Sequence, residues 1–304
     1  MSRVLRIGTR DSELALWQAR TVLRQLEAAG QAAELVPVKS TGDLILDKPL
    51  YELGITGIFT KTLDVALLRK DIDLAVHSMK DVPTALPQGI SEAAVLQRAS
   101  PRDVLIHKGL HFLGGAGRVA TGSLRRKAQW LSRYPGHEVV GLRGNVNTRL
   151  RLLRENPWDG AIFAEAGLER LGLLPESCAV LDWMLPAPAQ GAMLVVAREG
   201  DTEAREAAAP LNHPETALQV AVERAFLRTL EGGCTAPIGA QARLQDGELL
   251  LEGGLFSLDG SQAITVSRKT KPSEGARFGE ACAGEILDSG GGALMESIRK
   301  SLAT

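Results

Sequence analysis

The strongest constraint on what this chain can fold into is the order of its N-terminal elements, where short apolar runs alternate with amphipathic helical stretches. Val4 to Gly8 predicts a strand, and Thr9 to Ser12 lead into a helix over Glu13 to Ala28. Ser12 or Asp11 can cap that helix, because a side-chain oxygen satisfies a free N–H of the first turn. Glu34 to Val38 predicts the next strand. Lys39 to Phe59, with Gly42, Pro49, Gly54 and Gly57, predicts a long loop, and a loop of about twenty residues in a compact domain is usually functional. Thr60 is a candidate cap for a helix over Lys61 to Lys70, which feeds a third strand at Asp73. Strands separated by helices predict a parallel sheet, since parallel neighbours need a long crossover.

The third strand carries the most chemistry. In Asp73 to Pro83, DLAVHSMKDVP, the apolar Leu74, Ala75 and Val76 run straight into His77, Ser78, Lys80 and Asp81. The carboxyl edge of an open α/β sheet is where ligands bind, and a carboxylate there is tuned by a nearby cation. Asp81 starting a turn ahead of Pro83, with Lys80 as a solvated charge, fits the same residues. His77 is an acid or base candidate, and equally a hydrogen-bonded histidine at the sheet edge.

After a strand ending at Ala94 to Leu96, the polar segment Arg98 to Arg102 opens a second set of elements. Strands are expected at Asp103 to His107, Arg118 to Thr121, Glu138 to Gly141 and Gly160 to Ala164, with helices over Ser123 to Arg133 and Asn147 to Arg154. Pro186 and Pro188 interrupt again before a strand at Met193 to Ala197. That strand is expected to cross back into the first domain, giving two lobes joined by two hinge strands. From Pro214 the pattern changes to a helix over Glu215 to Leu230, three strands (Ile238 to Leu244, Glu248 to Leu255, Ala263 to Lys269) and a helix over Ser273 to Leu287. Consecutive strands joined by Asp246-Gly247 and Asp259-Gly260 predict an antiparallel sheet. The expected domains are therefore residues 1–98 with 190–212, residues 99–189, and an α+β domain over 213–304.

At 304 residues the chain is long for one core. Its net charge of -1 offers no global field for nucleic acid or a membrane surface. No apolar run reaches the roughly 18 residues of a span, and Met1 to Ile7 lacks a signal peptide's apolar core, so a cytoplasmic protein is expected. Cys178, Cys234 and Cys282 are odd in number and widely spaced, which argues against disulfides and a zinc site. Cys234, in EGGCTAP between a helix and a strand, is either an exposed reactive thiol or structural, and Cys282 is a packed small hydrophobe.

Local clusters remain the place to look for an anion. Arg125 and Arg126 fall in the first turn of a helix capped by Ser123, where cations oppose the helix dipole. A bound anion explains them, and so does pairing with an internal carboxylate. Arg143 directly follows a strand and Arg149 lies near a helix start. Arg151 and Arg154 are read as ion-paired. Gly115, Gly117 and Ala120 match a dinucleotide fingerprint but precede a strand instead of following it, and no Walker loop, HExxH helix or nucleophile elbow is present.

The runs LRIGTR, LALWQA, STGDLILD, AVHSMKDVP, GSLRR, LRGNVNTRL, AGLERLG, PAPAQGA, LNHPETA and ERAFLRTLEGGCTAPIG, in this order, resemble the porphobilinogen deaminases, also called hydroxymethylbilane synthases. The resemblance covers nearly the whole chain. It implies two periplasmic-binding-protein-like lobes with hinge strands and an α+β third domain. The implied enzyme is a transferase, monomeric and without a nucleic acid or membrane partner, that joins porphobilinogen units into hydroxymethylbilane for tetrapyrrole and haem synthesis. The implied cofactor is dipyrromethane, carried on Cys234 through a thioether. The resemblance makes Asp81 the catalytic carboxylate, and brings Lys80, Asp81, Thr121, Ser123, Arg125, Arg126, Gly144 and Gln190 to the cofactor. It brings Arg10, Ser12, Lys61, Arg143, Arg149 and Arg170 to the substrate, since each pyrrole carries an acetate and a propionate. Two positions depart from the family: Thr56 stands where a lysine is frequent, and Glu165 where a small apolar residue is common.

A non-catalytic two-lobe binder of an anionic ligand is the competing reading, because the same fold serves transport. It leaves Asp81 and the EGGC thiol without a role. A pyridoxal enzyme using Lys61 or Lys80 lacks a phosphate loop.

Overall fold

The computed structural model describes residues 3–38, 60–230 and 236–303. These fall into two compact units: one runs to Ala99 and takes in Gly191–Ala217, and the other holds Ser100–Gln190 and the chain from Leu218 on. The loop expected at Lys39 to Phe59, with Gly54, Thr56 and Gly57, lies outside the described residues, and so does Cys234.

In the first unit, strand β1 (Leu5–Thr9) leads to helix α1 (Glu13–Ala28), strand β2 (Ala33–Pro37), helix α2 (Lys61–Leu68), strand β3 (Leu74–Ser78) and strand β4 (Ile90–Val95). Ser12 caps α1, its hydroxyl accepting from the Ala15 N–H at 3.4 Å. Thr60 holds the equivalent place before α2 without a side-chain capping bond, because its hydroxyl is engaged by Asp64. Leu5, Ile7, Leu74 and Val76 pack against Ala19, Val22 and Leu26 of α1, the buried stripe that the helical period demands.

The second unit begins with β5 (Asp103–His107), β6 (Arg118–Ala120), α3 (Leu124–Arg133), β7 (Glu138–Val140), α4 (Val146–Glu155), β8 (Gly160–Ala164), α5 (Glu165–Arg170) and β9 (Ala179–Val180). The chain then returns through β10 (Met193–Arg198), which pairs antiparallel with both β3 and β4. The resulting sheet orders are β2-β1-β3-β10-β4 and β7-β6-β8-β5-β9. Each has three parallel strands, then one antiparallel strand supplied just after the chain changes unit, then an edge strand. The sheets are thus mixed, not parallel throughout. A strand arriving from the other unit needs no helical crossover, so antiparallel pairing is open to it.

Beyond α6 (Thr202–Ala208), capped by Asp201, and α7 (Pro214–Thr229), three antiparallel strands follow: β11 (Ile238–Gln245), β12 (Glu248–Phe256) and β13 (Ala263–Thr270). Asp246 and Gly247 both have positive φ, as the tight hairpin turn requires. Helices α8 (Gly275–Ile286) and α9 (Gly292–Ala303) cover this sheet, with Phe226, Leu251, Cys282, Ile286 and Ile298 in its core. A Cβ on Gly279 would lie 2.2 Å from the Val222 carbonyl oxygen, so glycine is what lets α8 approach α7. Cys282 is buried as expected, and burial pushes its thiol up to about 11. Helices α5, α6 and α9 and strand β9 were not expected. The glycine run before α9 reads as a stop signal, and its sequence alone gives no sign that a further helix follows.

Candidate functional site

Asp81 closes a single 3-10 turn, Met79–Asp81, directly after β3. It is half-buried and lines a cavity of about 80 Å³ together with Arg10, Ser12, Gln18, Thr60 and His77. All of these belong to the first unit. Arg10 follows β1 and Asp81 follows β3, and the parallel pairing of those strands sets their carboxyl ends at the same edge of the sheet. The Gln18 side-chain amide donates to Ser78 Oγ at 2.9 Å, tying α1 to the end of β3. Lys80 is half-buried beside Asp81, and Lys61 is exposed at the start of α2.

His77 lies at the carboxyl edge of the sheet, next to last in β3, but its buried Nε2 makes no hydrogen bond there among the described residues. Strand β3 is flanked by β1 and β10, so His77 sits on an inner strand and is only 6% exposed. Burial, and after it the positive charge of Arg10, hold its pKa at about 4, so the imidazole is neutral near pH 7.

The second unit carries the arginines. Thr121 follows β6, its Oγ1 accepting from the Ser123 N–H at 3.3 Å, and Ser123 caps α3. Arg125 and Arg126 are buried, and the anion they face is internal. Asp103, the first residue of β5 and 0% exposed, accepts from Arg125 Nη1 at 2.7 Å and from Arg126 Nη2 at 2.7 Å. Their place at a helix start therefore does not by itself require an outside anion. Burial works against Asp103, but Arg125 and then Arg126 outweigh it and hold the carboxyl far below the usual range. Two guanidiniums on one carboxylate still leave a surplus positive charge, and Arg125 Nε is buried without a hydrogen-bond partner. Gln190 joins the cluster through its amide, donating to Asp103 Oδ1 at 2.9 Å and to the Pro101 carbonyl at 2.6 Å.

Arg143 follows β7 and is half-buried, and burial lowers its pKa. Gly144 beside it has φ +99, and a Cβ there would meet Thr148 Cγ2 at 2.7 Å. Its carbonyl accepts from Arg149 Nε at 2.8 Å, so this glycine turn holds the Arg149 side chain. Arg170 ends α5, where burial brings its pKa to about 10. Arg151 pairs with Glu155 at 2.7 Å, in keeping with its reading as ion-paired.

Glu165 is not a loose negative charge. It is 4% exposed, takes two hydrogen bonds from Arg102 at 2.8 and 2.9 Å, and accepts another from Ser100. Those bonds outweigh burial and lower its pKa. Sequence reading missed Asp103, Gln18 and Glu223. Asp103 had a signal, a carboxylate opening the apolar run DVLIH, which can be buried only beside a cation. Glu223 lies in a helix and had none, yet its buried carboxylate accepts from the Ala189 and Ala242 N–H groups at 2.6 and 2.7 Å.

Among the described residues no group of histidine, cysteine and acidic side chains could hold a metal ion, and no helix is long and apolar enough to cross a membrane. The described residues thus form two α/β units with similarly ordered mixed sheets, the first bearing a cavity lined by Asp81 and Arg10 and the second a set of buried guanidiniums. The chain belongs to the porphobilinogen deaminase family and is a transferase. Residues 5–206 match the model of the porphobilinogen deaminase dipyromethane cofactor binding domain, and residues 217–288 match that of the C-terminal domain. The porphobilinogen deaminase of Syntrophobacter fumaroxidans is 45% identical over 306 residues, covering 98% of this chain and 99% of that protein. Among solved structures, the methionine binding protein MetQ is 14% identical with a TM-score of 0.45, covering 68% of this chain and 89% of that one. A periplasmic substrate-binding protein from Coxiella burnetii is 15% identical with a TM-score of 0.42, covering 73% and 97%.

Proposed function

We propose that this enzyme joins four porphobilinogen molecules head to tail into hydroxymethylbilane, releasing one ammonia per addition, with dipyrromethane attached to Cys234 as primer. The observation that carries the reading is Asp81 lining one cavity with Arg10. Porphobilinogen brings an aminomethyl group that must leave and two carboxylates that must be held, and a carboxylate beside a guanidinium suits both needs.

The residues present fit dipyrromethane. It is an organic polyanion, and the buried cluster of Asp103, Arg125 and Arg126 carries more positive than negative charge, with Arg125 Nε still unpaired. When bound, it supplies the pyrrole carbon to which the first porphobilinogen is added. Arg125 and Arg126 would hold its carboxylates, with Lys80, Thr121, Ser123, Gly144 and Gln190 around it. Arg10, Ser12, Lys61, Arg143, Arg149 and Arg170 would take those of the incoming and growing pyrroles.

Asp81 has two tasks. The C–N bond of the protonated aminomethyl group breaks, the nitrogen leaves with the bonding pair as ammonia, and Asp81 holds a negative charge beside the cation left on the substrate. As the new C–C bond forms, the attacked ring carbon gives up its hydrogen as a proton, which Asp81 accepts. Intact-mass measurement tests the attachment: an adduct of dipyrromethane mass that disappears in Cys234→Ser supports it. An unmodified wild-type protein that binds porphobilinogen without consuming it overturns the reading in favour of a ligand binder.

A further inference from the structure

We propose that Glu165 is a positioning residue: it fixes the chain leading into Asp103, and through that carboxylate the two arginines that would hold the cofactor. The inference rests on the reading of Arg125 and Arg126 given above.

The ladder between β5 and β8 closes at the pair Asp103 and Ala164. Asp103 is therefore a strand-end residue, and strand ends open more readily than strand centres. Yet its side chain is fully buried and binds Arg125, Arg126 and Gln190. One residue outside the ladder stand Arg102 and Glu165, and there side chains take over the pairing. The Glu165 N–H donates to the Arg102 carbonyl at 3.1 Å. Its carboxylate accepts from Arg102 Nε at 2.8 Å, from Arg102 Nη2 at 2.9 Å and from Ser100 Oγ, which itself accepts from the Arg102 N–H at 3.3 Å. From the other side Gln190 donates to the Pro101 carbonyl at 2.6 Å. Ser100 is where the chain enters the second unit, so this clamp sets how the strand begins. The ion pair itself adds little stability, because the Arg102 side chain is half exposed and is also well served by water. What it supplies is one fixed geometry, since the planar guanidinium meets a buried carboxylate at two points. A small apolar residue, common here in the family, makes none of these side-chain bonds.

The test compares Glu165→Val, which removes the three side-chain bonds, with Glu165→Gln, which keeps an oxygen in the same place, and Arg102→Met, which removes the partner. In Glu165→Val the amide at position 102 should exchange with solvent about tenfold faster or more, while the thermal midpoint stays within about 3 °C of wild type. Turnover per adduct-bearing molecule should fall about tenfold or more, because small misplacements of binding groups cost rate. Glu165→Gln should stay within about threefold of wild type. The double variant of Glu165→Val with Arg102→Met should be no worse than the poorer single one, as for two residues acting as a unit. If Glu165→Val does not fold, Arg102→Met carries the same expectations. Unchanged amide exchange or unimpaired turnover overturns the proposal. So do additive losses in the double variant, and so does a thermal midpoint that falls in step with turnover in both Glu165 variants, which marks a purely structural acid. A wild-type protein that carries no adduct overturns the reading of the arginines instead, and the exchange measurement still decides whether Glu165 fixes the chain before Asp103.

Discussion

Arg125 Nη1 lies 2.7 Å from Asp103 Oδ2, with side-chain exposures of 5% and 0%. The other Asp103 oxygen accepts from Arg126 and from Gln190, so one carboxylate ties two neighbouring arginines of α3 to a glutamine far along the chain. Removing one member of a buried ionic cluster leaves the others uncompensated. Asp103→Asn should therefore lower unfolding stability by about 3–5 kcal/mol, read from urea unfolding. A loss below about 1 kcal/mol would mean that water or a rearranged side chain already neutralises the arginines.

Asp81→Asn keeps the shape of the turn after β3 but removes both the negative charge and the proton acceptor. Turnover should drop by about a hundredfold or more, with the thermal midpoint nearly unchanged. Product formation near the wild-type rate in a quenched assay would remove Asp81 from the chemistry.

Arg143 is a half-buried guanidinium that burial disfavours in its charged form, and a carboxylate would offset that burial. Arg143→Ala should raise KM for porphobilinogen about tenfold or stall the chain at shorter intermediates, while stability changes by less than about 1 kcal/mol. Mass spectrometry of enzyme-bound intermediates reads the stall. A lower thermal midpoint with normal kinetics would assign Arg143 to folding.

Acid should destabilise the protein in two windows. His77 has a folded pKa of about 4, below its unfolded value, so between the two the unfolded state holds the extra proton. Stability is therefore full above roughly pH 6.5 and declines toward pH 4, by about 3 kcal/mol from this residue. Burial works against the carboxylate of Asp73, but hydrogen bonds from Arg6 and Arg198 outweigh it and hold its pKa at about 2. Its contribution of about 2 kcal/mol is present above the unfolded value and is lost as pH falls toward 2. Urea midpoints from pH 7 to pH 3 should show the histidine window vanish in His77→Leu, and a flat profile in wild type would refute it.

Much of the fold was readable because periodicity and punctuation act locally. The helix at Glu13–Ala28 and the strands at Asp103–His107 and Gly160–Ala164 have the expected bounds, and Asp246-Gly247 forms the expected turn. The helices α5, α6 and α9 escaped notice because each is short or follows glycine, and short helices draw their stability from packing, not from propensity. At the site, Asp81 was singled out from its place after a strand and Arg10 through the family resemblance, and both line one cavity. The surroundings of Arg125 and Arg126 were not readable, since their partner Asp103 stands 22 and 23 residues earlier in the chain.

By itself, the order of residues determined the family, the strand and helix periods, and which side chains carry acid, base and guanidinium chemistry, because these are properties of single residues and their near neighbours. Tertiary structure alone decided that β10 enters the first sheet between β3 and β4, that Asp103 sits under two arginines, and that the nitrogen of His77 is buried without a bond. Those outcomes depend on which distant surfaces exclude water together, and burial, unlike composition, is set only when the chain has closed on itself.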